Sequence, residues 1–209
     1  MLDSASLPIV DISPYLLSEF TFPPTTAQLA CSRSIHAACI SHGFFYVQGL
    51  GLSASDLSSV LLAAKQFFDL PNTKKQPLSI ASETNGSDGA RGWQRLNENI
   101  TGGLADHHEG LDFYRPVQED SRRPLHGRNQ WPEECDVRGF RETFERWIDK
   151  MNIIGRAMVL ATGIGLGMDE AELNELLSMV NSSFWVARII GYPKLPEHHV
   201  GASCGAHKE

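Results

Sequence analysis

His207 and Glu209 place an imidazole and a carboxylate two positions apart at the end of a chain of 209 residues. In an extended segment side chains alternate between faces, so residues i and i+2 project together and can reach one metal ion. An imidazole with a carboxylate suits a ferrous centre of the two-histidine, one-carboxylate kind, which takes its second histidine from elsewhere and leaves positions open for oxygen and substrate. By spacing alone, such a pair at a chain end is more often a solvated tail than a metal site. What precedes it decides between the two.

The other chemistry-bearing groups carry weaker signals. His107-His108-Glu109 and Glu197-His198-His199 consist of adjacent side chains. In an extended segment these point to opposite faces, so a solvated loop is the expected role of each. His36 and His42 border a predicted helix, where hydrogen-bonded structural roles are expected. Glu98, Glu109 and Asp112 have the chemistry of general acids but no pocket legible around them. No dinucleotide or P-loop glycine pattern occurs, and Gly163, Gly165 and Gly167 follow a helix instead of a strand. Serine and cysteine nucleophile signatures are absent, and no catalytic residue is assigned.

The elements that must position these groups follow from periodicity. Leu7 to Ile12 reads as a first or edge strand ended by Ser13-Pro14. A helix capped by threonine at 25–26 runs to about Ser41, with Cys31, Ile35, Ala38 and Cys39 on its apolar stripe. Phe44 to Gln48 is a strand. Ser53 and Asp56 form a capping box for a helix through Phe68, its apolar face Leu57, Val60, Leu61, Ala64 and Phe68. From Asn72 to Gln130 the periodicity fades, and Arg91-Gly92-Trp93 and Leu111-Asp112-Phe113 are the candidate strands. The longest helix is predicted from about Glu133 to Ala161, with Val137, Phe140, Phe144, Trp147, Ile148, Met151, Ile154 and Met158 on its stripe. Asp169 caps another to about Val180, with Leu173, Leu176, Leu177 and Val180 inward. Ser183 to Tyr192 reads as a strand, and Ala202 to Glu209 as the beginning of a further one.

Composition bounds the partners. The chain has 42% apolar and 21% charged residues and a net charge of −7, ordinary for a globular protein. That balance argues against a nucleic-acid surface or an anionic membrane as partner. No apolar run is long enough to span a bilayer, and the first residues do not read as a signal peptide, so a cytoplasmic location is expected. Four cysteines without a CxxC pair are expected as free thiols, Cys31 and Cys39 as small buried hydrophobes.

Several stretches, in order, resemble the isopenicillin N synthase-like branch of the Fe(II)/2-oxoglutarate-dependent dioxygenases. They are Leu7-Pro8-Ile9-Val10-Asp11-Ile12, Ala38-Cys39 through His42-Gly43-Phe44-Phe45-Tyr46-Val47, and Lys65-Gln66-Phe67-Phe68-Asp69-Leu70-Pro71. Arg91-Gly92-Trp93, His108-Glu109-Gly110-Leu111-Asp112-Phe113, Ile189-Ile190-Gly191-Tyr192-Pro193 and Gly205-Ala206-His207 continue the series. The resemblance implies an α+β fold in which an N-terminal helical and mixed region packs on an incomplete double-stranded β-helix, or jelly roll. It implies a non-haem dioxygenase N-terminal region over 1–120, helical support over 121–182, and the truncated start of the jelly-roll core over 183–209.

The resemblance further implies Fe(II) as metal and 2-oxoglutarate as cosubstrate, with a small organic molecule hydroxylated or otherwise oxidised. His207 and Glu209 then match the family's H-x-D/E metal ligands, and Tyr192 the tyrosine that helps hold the cosubstrate carboxylate. Ile190 stands where the tyrosine's companion asparagine is usual. The family's distal histidine and cosubstrate-binding arginine lie later in the fold, and Arg188 is not their match. Two readings of Glu209 stand: a genuine ligand one methylene longer than the usual aspartate, or the product of a reading that left the family's path after His207. The expectation is a truncated family member without coupled turnover of its own. The alternative is a non-catalytic fragment or interaction protein that pairs through an exposed strand edge, with itself or a relative.

Overall fold

The computed structural model describes residues 6–17, 19–81, 89–118, 125–195, 197–198 and 203–206. In chain order the elements are β1 (Ile9–Asp11), α1 (Thr26–Ser41), β2 (Tyr46–Gln48), α2 (Ala54–Phe68), the short α3 (Asn72–Lys75), β3 (Gly92–Gln94), β4 (Ile100–Thr101) and β5 (Leu104–Ala105). They continue with β6 (Glu109–Tyr114), α4 (Phe140–Gly165), α5 (Glu170–Asn181) and β7 (Val186–Gly191). The chain divides into two compact units, one from 1–57 with 146–183 and one from 58–145 with 184–209.

In the first unit β1 and β2 pair in parallel, Val10 opposite Val47, and α1 makes the crossover between them. Thr25 caps α1 through a reciprocal box: its hydroxyl accepts from the Gln28 amide while the Gln28 side chain accepts from the Thr25 amide, satisfying two donors that a helix start leaves open. Val10, Ile12, Ile35, Leu160, Ala161 and Leu173 form the buried centre. Asp169 caps α5 by the same box with Glu172. The predicted stripe of α1 holds for Cys31, Ile35 and Ala38, but Cys39 is exposed, because the buried arc is narrower than the apolar one. α4 runs past its predicted end at Ala161, through Gly163 to Gly165. A Cβ at Gly165 would lie 2.8 Å from the Ser32 carbonyl oxygen, and one at Gly163 2.8 Å from Leu173, so these glycines serve close helix packing. Gly167, with φ +83°, is where the chain turns.

In the second unit β3, β6 and β7 form an antiparallel sheet in the order β3-β6-β7, with Trp93 opposite Leu111 and Leu111 opposite Ile189. Period-2 alternation sends Trp93, Leu111, Phe113, Ala187 and Ile189 into a core completed by Phe67, Val137, Phe140 and Phe144. Gly92, with φ +128°, is required where β3 passes the Leu78 carbonyl, since a Cβ there would lie 2.4 Å from that oxygen. The fully buried Arg91 is satisfied by the carbonyls of Leu125 (2.5 Å) and Arg115 (3.0 Å) and by Asn129 Oδ1 (3.1 Å).

Other expectations are corrected here. Of the predicted face of α2, Val60, Ala64 and Phe68 pack against the core beside the fully inward Ala63 and Phe67, while Leu57 and Leu61 are exposed. α4 begins at Phe140, later than expected, because 133–139 form turns ending at Gly139, φ +67°. The β4–β5 hairpin, turning on Gly102-Gly103, went unread in the fading region. Of the strand expected over Ala202 to Glu209, the described residues 203–206 are bend and coil, and the rest lies outside the described residues.

Candidate functional site

The chemistry-bearing side chains of the second unit gather around β6. Its odd and even positions serve opposite faces of the sheet. On the core side Glu109, nearly buried, accepts from Lys75 Nζ at 2.8 and 3.0 Å and from Trp93 Nε1 at 2.7 Å. Lys75, 3% exposed, also donates to the Phe68 carbonyl at 3.0 Å. A buried charge is tolerable only when paired and hydrogen-bonded in this way. On the other side Asp112 lies opposite Arg188 in register and accepts from its Nε at 2.6 Å and Nη2 at 2.5 Å, a two-pronged guanidinium–carboxylate pair. The bond to Asp112 raises the Arg188 pKa above its ordinary value, against the opposing effect of burial.

Just before β6 the chain binds the segment that leads to the predicted metal ligands. The register that puts Glu109 opposite Gly191 brings His108 beside Tyr192 one step further along. Their ring centroids are 5.6 Å apart at 56°. His108 Nδ1 donates to the Ser203 carbonyl at 2.8 Å, which leaves Nε2 to accept from Asn99 Nδ2 at 2.7 Å. Asp106 Oδ1 accepts from the Gly205 amide at 2.9 Å, while Oδ2 accepts from Thr101 Oγ1 at 2.7 Å. Gly205 sits where a Cβ would come within 2.4 Å of Thr101. Tyr192, 52% exposed, has its phenol raised above its ordinary pKa by partial burial and by Cys204 beside it.

Of the residues singled out by sequence, Tyr192 is placed at the end of β7, whereas His207 and Glu209 lie outside the described residues. Among the described residues no group of three His, Cys, Asp or Glu side chains converges as a metal site. The general-acid candidates are all engaged in pairs: Glu98 accepts from Arg95 Nε at 2.6 Å, Glu109 from Lys75, and Asp112 from Arg188. The expected solvated loop at His107-His108 is overturned, since both are 6% exposed; His107 meets Asn97 Oδ1 at 3.2 Å. His42, the C-cap residue of α1, bonds the Ser41 hydroxyl at 2.7 Å. Glu197 and His198 are exposed. Sequence reasoning missed Asp106, Asn99 and Lys75, whose partners are 5 to 99 residues distant. No helix of the described residues is long and apolar enough to cross a membrane.

Comparison with known proteins places these features in a family context. Residues 7–134 match the family described as non-haem dioxygenase in morphine synthesis, N-terminal. A homoarginine-6-hydroxylase of Arabidopsis thaliana is 32% identical over 220 residues, covering 99% of this chain and 63% of that protein. In structure, a full-length Neurospora crassa protein crystallised in complex with alpha-KG aligns with a TM-score of 0.71 at 23% identity, over 92% of this chain and 56% of that one. A putative 2OG-Fe(II) oxygenase family protein from Caulobacter crescentus gives 0.70 at 21%, over 93% and 58%. The likenesses place this α+β chain on part of the double-stranded β-helix oxygenase fold. It spans less than two thirds of the length of these relatives.

Proposed function

The chain belongs to the Fe(II)/2-oxoglutarate-dependent dioxygenase family, and from that premise we propose that the whole protein oxidises a small organic molecule at the expense of 2-oxoglutarate. Bound iron supplies the redox chemistry by which dioxygen is reduced, with 2-oxoglutarate leaving as succinate and CO2. His207 and, in its reading as a genuine ligand, Glu209 are the residues of this chain that would hold the iron; an imidazole and a carboxylate are the donor types that ferrous iron takes. Tyr192 orients the cosubstrate by donating its phenolic hydrogen to a carboxylate. The observation that carries this role is the placement of Tyr192 at the end of β7, half exposed and set against His108, whose ring is held from both nitrogens. The regions 1–120, 121–182 and 183–209 are proposed as N-terminal region, helical support and start of the iron-carrying core.

The amino-acid substrate named for the plant relatives makes a small amino acid the first substrate class to try. The experiment is succinate formation by the whole protein with Fe(II), 2-oxoglutarate and a panel of amino acids, alongside Tyr192→Phe. Losing one hydrogen bond to a carboxylate weakens cosubstrate affinity about tenfold or more. Iron-dependent succinate formation with an unchanged 2-oxoglutarate KM in Tyr192→Phe removes the tyrosine from the site. No succinate with any substrate or in uncoupled turnover removes the enzymatic reading.

A second reading rests on β7, the last strand in the order β3-β6-β7 among the described residues, with Val186 and Ile190 exposed on it. A sheet edge of that kind can add a strand from another copy. Light scattering of the chain separates the two, because strand addition makes its mass depend on concentration.

A further inference from the structure

We propose that Asp106 and His108 are positioning residues that latch the segment Ser203–Ala206, the approach to His207, onto the β4–β5 hairpin. The inference rests on the reading of His207 as a metal ligand for its purpose, but its geometry lies entirely among other residues. Two hydrogen bonds cross about a hundred positions of sequence: His108 Nδ1 to the Ser203 carbonyl, and the Gly205 amide to Asp106 Oδ1. They hold opposite kinds of backbone group, one carbonyl and one amide, two residues apart. The segment is therefore fixed in direction as well as in place.

Each latch residue is itself held. Asp106, 5% exposed, has its second oxygen occupied by Thr101 Oγ1, on the hairpin. His108 has its second nitrogen occupied by Asn99 Nδ2, which also reaches Gln94 Oε1 at 3.3 Å on β3. The path from the sheet to the segment is thus continuous through hydrogen bonds. Gly205 adds a steric condition, since only a residue without a Cβ lets the backbone approach Thr101 this closely. Adjacent histidines that looked unsuited to sharing one ion are suited to this: His107 turns to Asn97 and His108 to the segment. Support of this kind, applied to the segment on which a ligand is carried, is what holds a metal-binding constellation to its geometry.

The test uses the full chain and reads backbone amide exchange at Gly205 and Ala206, with Leu111 and Phe113 of β6 as internal controls. Asp106→Ala removes the acceptor and is expected to speed exchange at Gly205 by about tenfold or more; Asp106→Asn keeps an acceptor oxygen and is expected to restore protection. His108→Phe is expected to loosen Ser203 and its neighbours in the same selective way. Unchanged exchange at Gly205 in Asp106→Ala overturns the latch. So does loosening of equal size at Leu111 and Phe113, because the pair would then support the sheet instead of the segment. A parallel Co(II) titration of the whole protein and its His207→Ala variant reports on the metal reading alone. Selective loosening by Asp106→Ala together with Co(II) binding unchanged in His207→Ala leaves the latch standing and removes His207 as a ligand.

Discussion

Replacing Lys75 by methionine tests the buried charge network most directly. The ammonium is 3% exposed and its partner Glu109 is 12% exposed, so solvent screening offers little relief. The substitution keeps most of the aliphatic stem but removes three hydrogen bonds, two to Glu109 and one to the Phe68 carbonyl. Glu109 keeps the Trp93 indole donor, which stabilises the carboxylate without neutralising it. Removing one partner of a buried pair costs about 3–5 kcal/mol; the retained Trp93 bond puts the expectation near the lower end, about 3 kcal/mol. For a chain of this size each kcal/mol corresponds to about 2–4 °C in Tm, so a fall of roughly 6–12 °C is expected by circular dichroism. Glu109→Gln in the same chain removes the stranded charge, and the double variant Lys75→Met/Glu109→Gln is expected to recover about half of the loss. A single variant that loses less than about 1 kcal/mol, or a double variant no better than Lys75→Met, refutes the view that the network's cost lies in the uncompensated carboxylate.

Asp56 has its carboxyl lowered from the ordinary 3.8 to about 2, first by the Lys150 ammonium that bonds it and then by the Ser53 amide and hydroxyl. A depressed folded-state pKa stabilises above the unfolded value, so this contribution is present above about pH 4 and is lost as pH falls toward 2; in Lys150→Met, NMR titration is expected to find the Asp56 carboxyl moved up toward its ordinary range. Gly165→Ala forces a methyl to 2.8 Å from the Ser32 carbonyl and 3.3 Å from His36, and is expected to lower stability by about 1–3 kcal/mol by urea unfolding. Arg188→Lys cannot reproduce the two-pronged bond to Asp112; with Arg188 partly exposed, a loss of about 1–2 kcal/mol is expected, and a neutral result would show that charge without geometry suffices there.

The elements with a local cause were legible. The threonine and Asp169 caps and the Ser53–Asp56 box are read from residue type at fixed offset, and the side chains of Thr25, Asp169, Ser53 and Asp56 make those bonds. Trp93, Leu111, Phe113 and Ile189 fall on one face because strand period alone dictates it. The elements with a distant cause were not. The α2 stripe reads as Leu57, Val60, Leu61, Ala64 and Phe68; Val60, Ala64 and Phe68 do pack inward, but Leu57 and Leu61 are exposed while Ala63 and Phe67 are buried, because what covers a helix is set by its neighbours and not by which of its residues are most apolar. Gly163 and Gly165 lie past the predicted end of the helix at Ala161 but fall inside α4, where α5 and α1 approach too closely for a side chain.

The same division explains the candidate site. The alternation rule took adjacent His107 and His108 to face apart, and they do have different partners. What the rule could not supply is that both directions are occupied by protein, since Asn99 and Ser203 reach His108 from 9 and 95 residues away. An imidazole pair in a loop is solvated only when nothing folds over it. Here Asn99, just ahead of the hairpin, and Ser203 close on His108 from two sides, so a motif with little meaning as a ligand set acquires one as an anchor. The polar residues around β6 then divide by the reach of their bonds: Lys75, Trp93 and Glu109 support the sheet from its core side, Asp112 and Arg188 lock two strands in register, and Asp106 and His108 bind the segment that leads to His207. Disturbing the first two groups should lower stability, while disturbing the third should change segment order first, and that difference makes support separable from positioning by measurement.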